Sequence, residues 1–507
     1  MQCENLRVGG LSSGGRLFWI PLAQLVLGGW ILLVASARAA PTVTEPCRIV
    51  GIPNELQCGS VKRALDPDHP DGPKIDVHFL VVPAIARNKQ PDPVLILAGG
   101  PGQSAIALAP MVMSRFARIA NRRDLVFVDQ RGTGKSAPLQ CPDESRLPLA
   151  QAMDPAGQLQ RLEKCRDGLV KLPHGDLRFY TTNIAMQDMD AVRQHLGAPQ
   201  WNLVGASYGT RAALEYLRLF PDKVRRTVLD GVAPPDMVLP VSFSTDGQAA
   251  LDAVFLACER EIACSSKFPQ LRRQWAEILR DLPRQLTVAH PYSGAPERFT
   301  LTRDLLLRVI RSPLYSPPFS AGLPMAIAAA SEGRFEGLIG LARAFGSTKS
   351  NRIAMGMHFS VICAEDMPRI NESKDRIGAD FGFTDANLYQ QACANWPRGN
   401  VPSGFYTVPS APSPVLVLSG GTDPATPPRH GARVSAALGA KAQHIIVPEA
   451  GHGVMAIGCM RDVIHRFISS KNDIAALPQE AGCVSKIPRP GAVVPIAATS
   501  TPMEALR

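Results

Sequence analysis

Short apolar runs that stop abruptly at glycine, proline or an acidic turn constrain this chain more than any other feature. Val94–Ala98 (VLILA) ends in Gly99-Gly100-Pro101-Gly102, Leu125–Val128 (LVFV) in Asp129-Gln130-Arg131-Gly132, and Trp201–Val204 in Gly205. Val224–Leu229 ends in Asp230-Gly231, and Val415–Leu418 (VLVL) and His444–Val447 (HIIV) follow far downstream. Runs of this kind read as strands buried on both faces. Such strands belong in parallel sheets covered by helices. Helical spacing falls between them: Ile184, Met189, Val192 and Leu196 recur along Thr182–Leu196, with Thr182 or Asn183 as cap and Gly197 as stop. Tyr208–Phe220 is a second helix, closed by Pro221. The alternation predicts an α/β fold, mostly parallel and doubly wound, over 74–235 and again over 412–487. Lys74–Ala84 is its first strand and Arg461–Ile468 its last helix.

The rhythm breaks between these blocks. Residues 236–411 read as a helical insertion, a lid or cap, with helices at Gln248–Cys258, Gln270–Asp281, Arg303–Ile310 and Met325–Ala330. Residues 40–73, rich in Pro, Asp and Gly, read as an N-terminal arm, and 488–507 as a flexible tail. Arg7 and Arg16 precede an apolar run, Leu17–Val34, followed by Ala37-Arg38-Ala39. That pattern reads as a signal peptide over 1–39, with an uncleaved anchor as the alternative. The expected location is secreted or periplasmic, with no stable membrane span after cleavage.

Cysteine usage agrees with export. Of 11 cysteines, Cys3 would be removed with the signal, and an even number remains. Sequential pairing closes only short loops: 47–58, 141–165, 258–264, 363–393 and 459–483. Buried free thiols are the alternative. No C-x-x-C occurs, so neither a structural zinc site nor a dithiol redox site is expected. The net charge of +10 over 507 residues is spread thinly, without a basic block. A nucleic-acid partner is therefore not expected.

The chemistry concentrates in the turns after the strands. Gly205-Ala206-Ser207-Tyr208-Gly209 is G-x-S-x-G between a strand and a helix, the setting of an exposed nucleophilic serine at a helix N-terminus. A serine needs a base and an orienting acid, in the chain order Ser, acid, His. Asp423 follows the VLVL strand in Ser419-Gly420-Gly421-Thr422-Asp423-Pro424. His452 follows the HIIV strand between Gly451 and Gly453. His430 at a helix start, His444 opening a strand and His465 inside a helix lack that context. The G-G-P-G turn can aim amides at an oxyanion, through Gly99 or Gly100, with Gly100 preferred and the Tyr208 amide as partner. Gly134-Lys135-Ser136 ends like a phosphate loop, but Asp129 stands where the upstream glycine is required. No metal and no organic cofactor is needed.

These motifs together resemble a known group. GGPG, the run Asp129–Ser136 (DQRGTGKS), GASYGT, a late aspartate and GHG look like the α/β-hydrolase peptidases related to proline iminopeptidase. The likeness is strongest to their secreted branch, the bacterial tripeptidyl aminopeptidases, and covers about 75–235 and 355–470, including Cys393–Pro397. It implies an α/β-hydrolase fold with an inserted cap and a serine exopeptidase acting on short peptides with a free N-terminus. Ser207, Asp423 and His452 become nucleophile, orienter and base, and Arg131 a structural tie. Glu365 and Asp366 resemble the family's acidic position, so one of them, Glu365 by preference, would face the cleft and bind the substrate ammonium. Solvated charges before Pro368 are the plainer reading. Many relatives carry His or Pro before G-G-P-G, where this chain has Ala98. An esterase or amidase for a small non-peptide substrate would use the same three residues. A hydrolase-fold binding protein that has lost catalysis would not keep them intact.

Overall fold

The computed structural model describes residues 43–144, 147–290, 293–346, 352–477 and 481–495. The signal-peptide reading of 1–39 and the tail beyond 495 lie outside these residues. Eleven strands are described: β1 Glu45–Cys47, β2 Leu56–Ala64, β3 Lys74–Val82, β4 Val94–Leu97, β5 Leu125–Val128, β6 Trp201–Ala206, β7 Val224–Asp230, β8 Arg284–Ala289, β9 Pro296–Leu301, β10 Val415–Gly420 and β11 Ala442–Val447. Nine form one sheet in the order β1-β2-β3-β5-β4-β6-β7-β10-β11. From β5 to β11 all neighbours are parallel, while β1, β2 and β3 add antiparallel strands at one side.

Alternation inside each buried strand feeds two cores. Leu95, Leu97, Val126, Val128, Leu203 and Val417 point to one face, against helices Thr182–His195, Tyr208–Leu219 and Met355–Glu365. Val94, Ile96, Phe127, Val204, Val228 and Leu418 point to the other, against helices Ala105–Arg115 and Met460–Ser469. Burial on both faces is why these strands read as unbroken apolar runs. Because the strands are parallel, the turns after β4, β6, β7, β10 and β11 gather at one end of the sheet.

Three expectations change. From residue 43 on, the arm expected at 40–73 is not an appendage: β1 and β2 extend the sheet, tied by Cys47–Cys58. Leu56–Ala64 (LQCGSVKRA) lies near the sheet edge with mostly half-exposed side chains, so it lacks the apolar signal of a central strand. The insertion at 236–411 is neither purely helical nor one body. Its middle has a core of its own, from Leu251 and Phe255 through Trp275 to Ile327 and Ile339, and includes the hairpin β8–β9. From Met355 onward the chain rejoins the main core through Met357, Phe359, Val361, Cys363 and Trp396. Finally, the tail at 488–507 is anchored as far as it is described. Val493 N–H donates to the Ala321 carbonyl (2.9 Å), and Ala492 and Val494 pack on the cap.

Asp246, on the buried face of helix Leu239–Arg260, ties that helix to helix Pro428–Leu438. It accepts from Arg429 Nε (2.7 Å) and pairs with His430 Nε2 (2.9 Å). The disulfides are Cys47–Cys58, Cys141–Cys165, Cys258–Cys264, Cys363–Cys393 and Cys459–Cys483, the sequential pairing.

Candidate active site

Ser207 sits between β6 and helix Tyr208–Leu219 with φ 56° and ψ −125°. A positive φ on a residue with a Cβ costs about 1–3 kcal/mol and needs support from its surroundings. That support is visible. The Ser207 amide donates to the Asp230 carbonyl on β7 (2.9 Å), and the Ser207 carbonyl accepts from Thr210 Oγ1 (2.6 Å). Both flanking glycines are obligatory. A Cβ on Gly205 would lie 2.3 Å from the Gly209 carbonyl oxygen, and one on Gly209 2.2 Å from that of Leu97. The turn leaves Ser207 half-buried while Tyr208 is sealed, its hydroxyl bonded to Thr182 Oγ1 (2.6 Å) and Gln130 Nε2 (3.0 Å).

Asp423 and His452 meet across the turns after β10 and β11. His452 Nδ1 lies 2.7 Å from Asp423 Oδ2. The carboxylate is buried and fully engaged: Oδ1 accepts the Ala425 and Thr426 amides (2.8 and 2.9 Å), and Oδ2 accepts Thr426 Oγ1 (2.9 Å). An acceptor at Nδ1 fixes the tautomer with Nε2 unprotonated, the form a base requires. Burial pushes Asp423 up, but the His452 charge and hydrogen bond outweigh it and hold the carboxyl below its ordinary value. Burial pulls His452 down, but Asp423, with help from Asp230, leaves the imidazole above its ordinary value.

Ser207 and His452 converge on Asp230-Gly231 at the end of β7. The Ser207 amide is bonded to Asp230, and a Cβ on Gly231 would lie 3.2 Å from His452 Cε1. The cap closes over the same place. The His452 amide donates to the Tyr315 carbonyl (2.9 Å), and the two rings meet edge to face at 5.1 Å.

The G-G-P-G turn abuts the serine from the β4 side. A Cβ on Gly99 would lie 3.2 Å from Ser207 Cβ, so Gly99 is the residue in contact, and Gly100, at φ 113°, turns the chain away. The turn is braced from outside: Ala354 N–H donates to the Gly102 carbonyl (2.9 Å), and His358 Nδ1 reaches the Pro101 carbonyl (3.0 Å). The Tyr208 amide, in the first turn of its helix, is among the N–H groups without an intrahelical acceptor.

Glu365 and Asp366 are not where a cleft-facing carboxylate would be. Their side chains are 1% and 0% exposed. Asp366 is bidentate with the Arg211 guanidinium (2.9 and 3.1 Å) and accepts the Leu239 amide (3.1 Å). Glu365 accepts the Thr182 amide (2.7 Å) and hydroxyl (3.0 Å) at the start of helix Thr182–His195, with Arg211 at 3.6 Å. Burial pushes Glu365 up to about 7, against the pull of Arg211. The sequence shows two acids before a proline. It does not show that Arg211, one helical turn past Ser207, lies against both.

The family described as the alpha/beta hydrolase fold matches residues 92–457. This chain belongs to the α/β-hydrolase family. A tripeptidyl aminopeptidase of Streptomyces coelicolor is 32% identical over 220 residues, 40% of this chain and 40% of that protein. The match thus spans well under half of that relative. Serine protease Hip1 of Mycobacterium tuberculosis is 27% identical over 467 residues, covering 82% of this chain and 88% of its own length. Carboxylesterase B of the same species is 29% identical over 479 residues, covering 85% and 89%.

Several residues of this α/β hydrolase's site carry no motif in the sequence. Thr426 bonds Asp423 and lies 3.1 Å from His452 Nδ1, and Tyr315 reaches the site from the cap. Asp230 looks like a strand-ending turn residue, yet its buried carboxylate accepts the Val454 and Met455 amides (2.8 and 2.9 Å). Its place after a strand, like that of Asp423, was the available signal. Arg131 has the structural role expected of it. It is buried, bidentate to Asp188 (2.7 and 3.0 Å), and donates to the Leu65 and Phe179 carbonyls.

Proposed function

We propose that this protein is a serine hydrolase that acts as an aminopeptidase, releasing short N-terminal units, tripeptides or single residues such as proline, from short peptides. The observation that carries the reading is the buried, fully engaged Asp423 held against His452 Nδ1, beside a serine kept at positive φ. In the proposed sequence His452 Nε2 takes the Ser207 proton as Oγ attacks the carbonyl carbon. Asp423 stabilises the imidazolium that forms. The Tyr208 amide and one from Gly99 or Gly100 hold the oxyanion. His452 then protonates the departing amine, and water releases the acyl group by the same route. The cap contact at Tyr315 argues for short substrates over folded proteins. Five disulfides suit an oxidising location, secreted or periplasmic.

The peptidase half of this reading leans on the likeness to the aminopeptidase and Hip1. The carboxylesterase likeness favours a second reading, hydrolysis of small esters or amides with the same three residues. A chromogenic tripeptide with a free amino terminus, its acetylated twin and a short acyl ester separate the two. Cleavage of the free peptide alone supports the aminopeptidase. Equal cleavage of both peptides, or of the ester only, overturns it. Ser207→Ala is expected to lose at least about 10³-fold in kcat while keeping its melting temperature. Near-normal turnover in that variant would remove Ser207 from the mechanism.

A further inference from the structure

We infer that Asp230 is a positioning residue of the hydrolytic site, a second buried carboxylate that binds the serine turn to the histidine loop and faces the imidazolium. The inference rests on the serine-hydrolase reading above. Two contacts of one residue carry it. The Asp230 main chain holds the nucleophile, since its carbonyl accepts the Ser207 amide at 2.9 Å. Its side chain holds the base: both oxygens face the Val454 amide (2.9 and 2.8 Å), and Oδ2 also accepts the Met455 amide (2.9 Å). Those amides are two and three residues past His452. The next residue, Gly231, lies against the imidazole edge itself. A shift of β7 would therefore move the nucleophile and base together, which keeps their separation constant.

Charge adds a second effect. Asp230 is 1% exposed, and hydrogen bonds to amides suit its ionised form. The groups around it and His452 are few. Asp423 lies across the imidazole, Tyr315 packs on it from the cap, and Arg115, itself near Arg461, approaches Asp230 from helix Ala105–Arg115. Burial pushes the Asp230 carboxyl up, and the amides and the His452 charge oppose that push. Where Asp230 is ionised, its charge favours the imidazolium formed as Ser207 attacks. Asp423 makes the direct hydrogen bond, and Asp230 supplies field and loop position without touching the ring nitrogens.

The test is Asp230→Asn, which preserves shape and removes charge, followed by kcat/KM against pH. The expected result is a fall of about tenfold or more in kcat with KM little changed. The acid limb should also move to lower pH by about half a unit or more, because the imidazolium has lost a stabilising charge. Asp230→Glu keeps the charge on a longer stem, so it should lose rate yet retain the wild-type limb. A rate loss at every pH with an unmoved limb in Asp230→Asn would reduce Asp230 to packing and overturn the inference, as would an unchanged rate and limb. If the Asn variant does not fold, Asp230→Ser reads the same limb. Ser207→Ala run beside them separates the two failures. If it remains active, the serine-hydrolase reading falls. If it is inactive while Asp230→Asn matches wild type, only the role of Asp230 falls.

Discussion

Two clusters of buried charge lie a short distance apart in this protein, and they are built differently. At the strand ends, Asp423 is buried but its partner His452 is half-buried, with Nε2 left to act. At the C-terminal end of helix Met355–Glu365, Arg211, Glu365 and Asp366 are all sealed, with Arg211 paired to Asp366 and its Nε left without a hydrogen-bond partner. Both clusters bend pKa values, and in opposite senses for the carboxylates: Asp423 is held low and Glu365 is pushed up to about 7. Buried charge alone therefore does not mark a reaction centre. What distinguishes the first cluster is an imidazole that stays partly exposed, in the same group of strand-end turns as a serine held at positive φ, whereas the second is closed to solvent. The second is tied to the same region, because Arg211 projects from the helix that follows Ser207.

The sharpest way to test the contrast is to remove one charge from each cluster. Asp423→Asn keeps the shape but favours the wrong imidazole tautomer. A loss of about 10⁴-fold in kcat is expected, with little change in melting temperature. A loss under tenfold would put the two clusters on the same footing. Arg211→Met should do the reverse at the level of folding. It leaves two buried carboxylates without a cation, a cost of about 3–5 kcal/mol by denaturant unfolding. If Arg211→Met unfolds at the wild-type midpoint, the second cluster is not structural.

Titration gives the next contrast. His452 must be neutral to take a proton, and its pKa lies above the ordinary 6.5. The kcat/KM profile should fall about tenfold per pH unit on its acid side, with the bend above 6.5. A flat profile from about pH 5 to 8 would count against His452 as base. The smallest effect is a matter of sign. Glu365 holds its proton more tightly folded, at about 7, than unfolded, at 4.5. The folded state therefore binds more protons in that window, and Glu365 makes stability fall as pH rises through it. Glu365→Gln should flatten that slope in unfolding experiments. Asp423, lowered on folding, contributes with the opposite sign: its stabilisation is present above its ordinary 3.8 and is lost as pH falls toward its folded value.

Strand positions were legible because central strands bury both faces, as Val415–Leu418 and Leu125–Val128 do throughout. The G-x-S-x-G turn was legible for a related reason. Close approach of Gly205 and Gly209 to neighbouring backbone allows no other residue, so the constraint is written in the chain. Strand β2, second from the sheet edge, was not legible, because most of its side chains are only half-buried and its residues are correspondingly mixed. The sequence determined by itself which turns carry a serine, an acid and a histidine, and in what order, since each is a local pattern attached to a strand. Only the tertiary structure decided which acids stay available. Glu365 and Asp366 lie 154 and 155 residues beyond Arg211, and Asp230 lies 224 residues before Val454; their pairing exists only once the sheet brings those segments together. A carboxylate's chemistry follows from its desolvation and its partners, and neither is a property of the residues beside it in the chain.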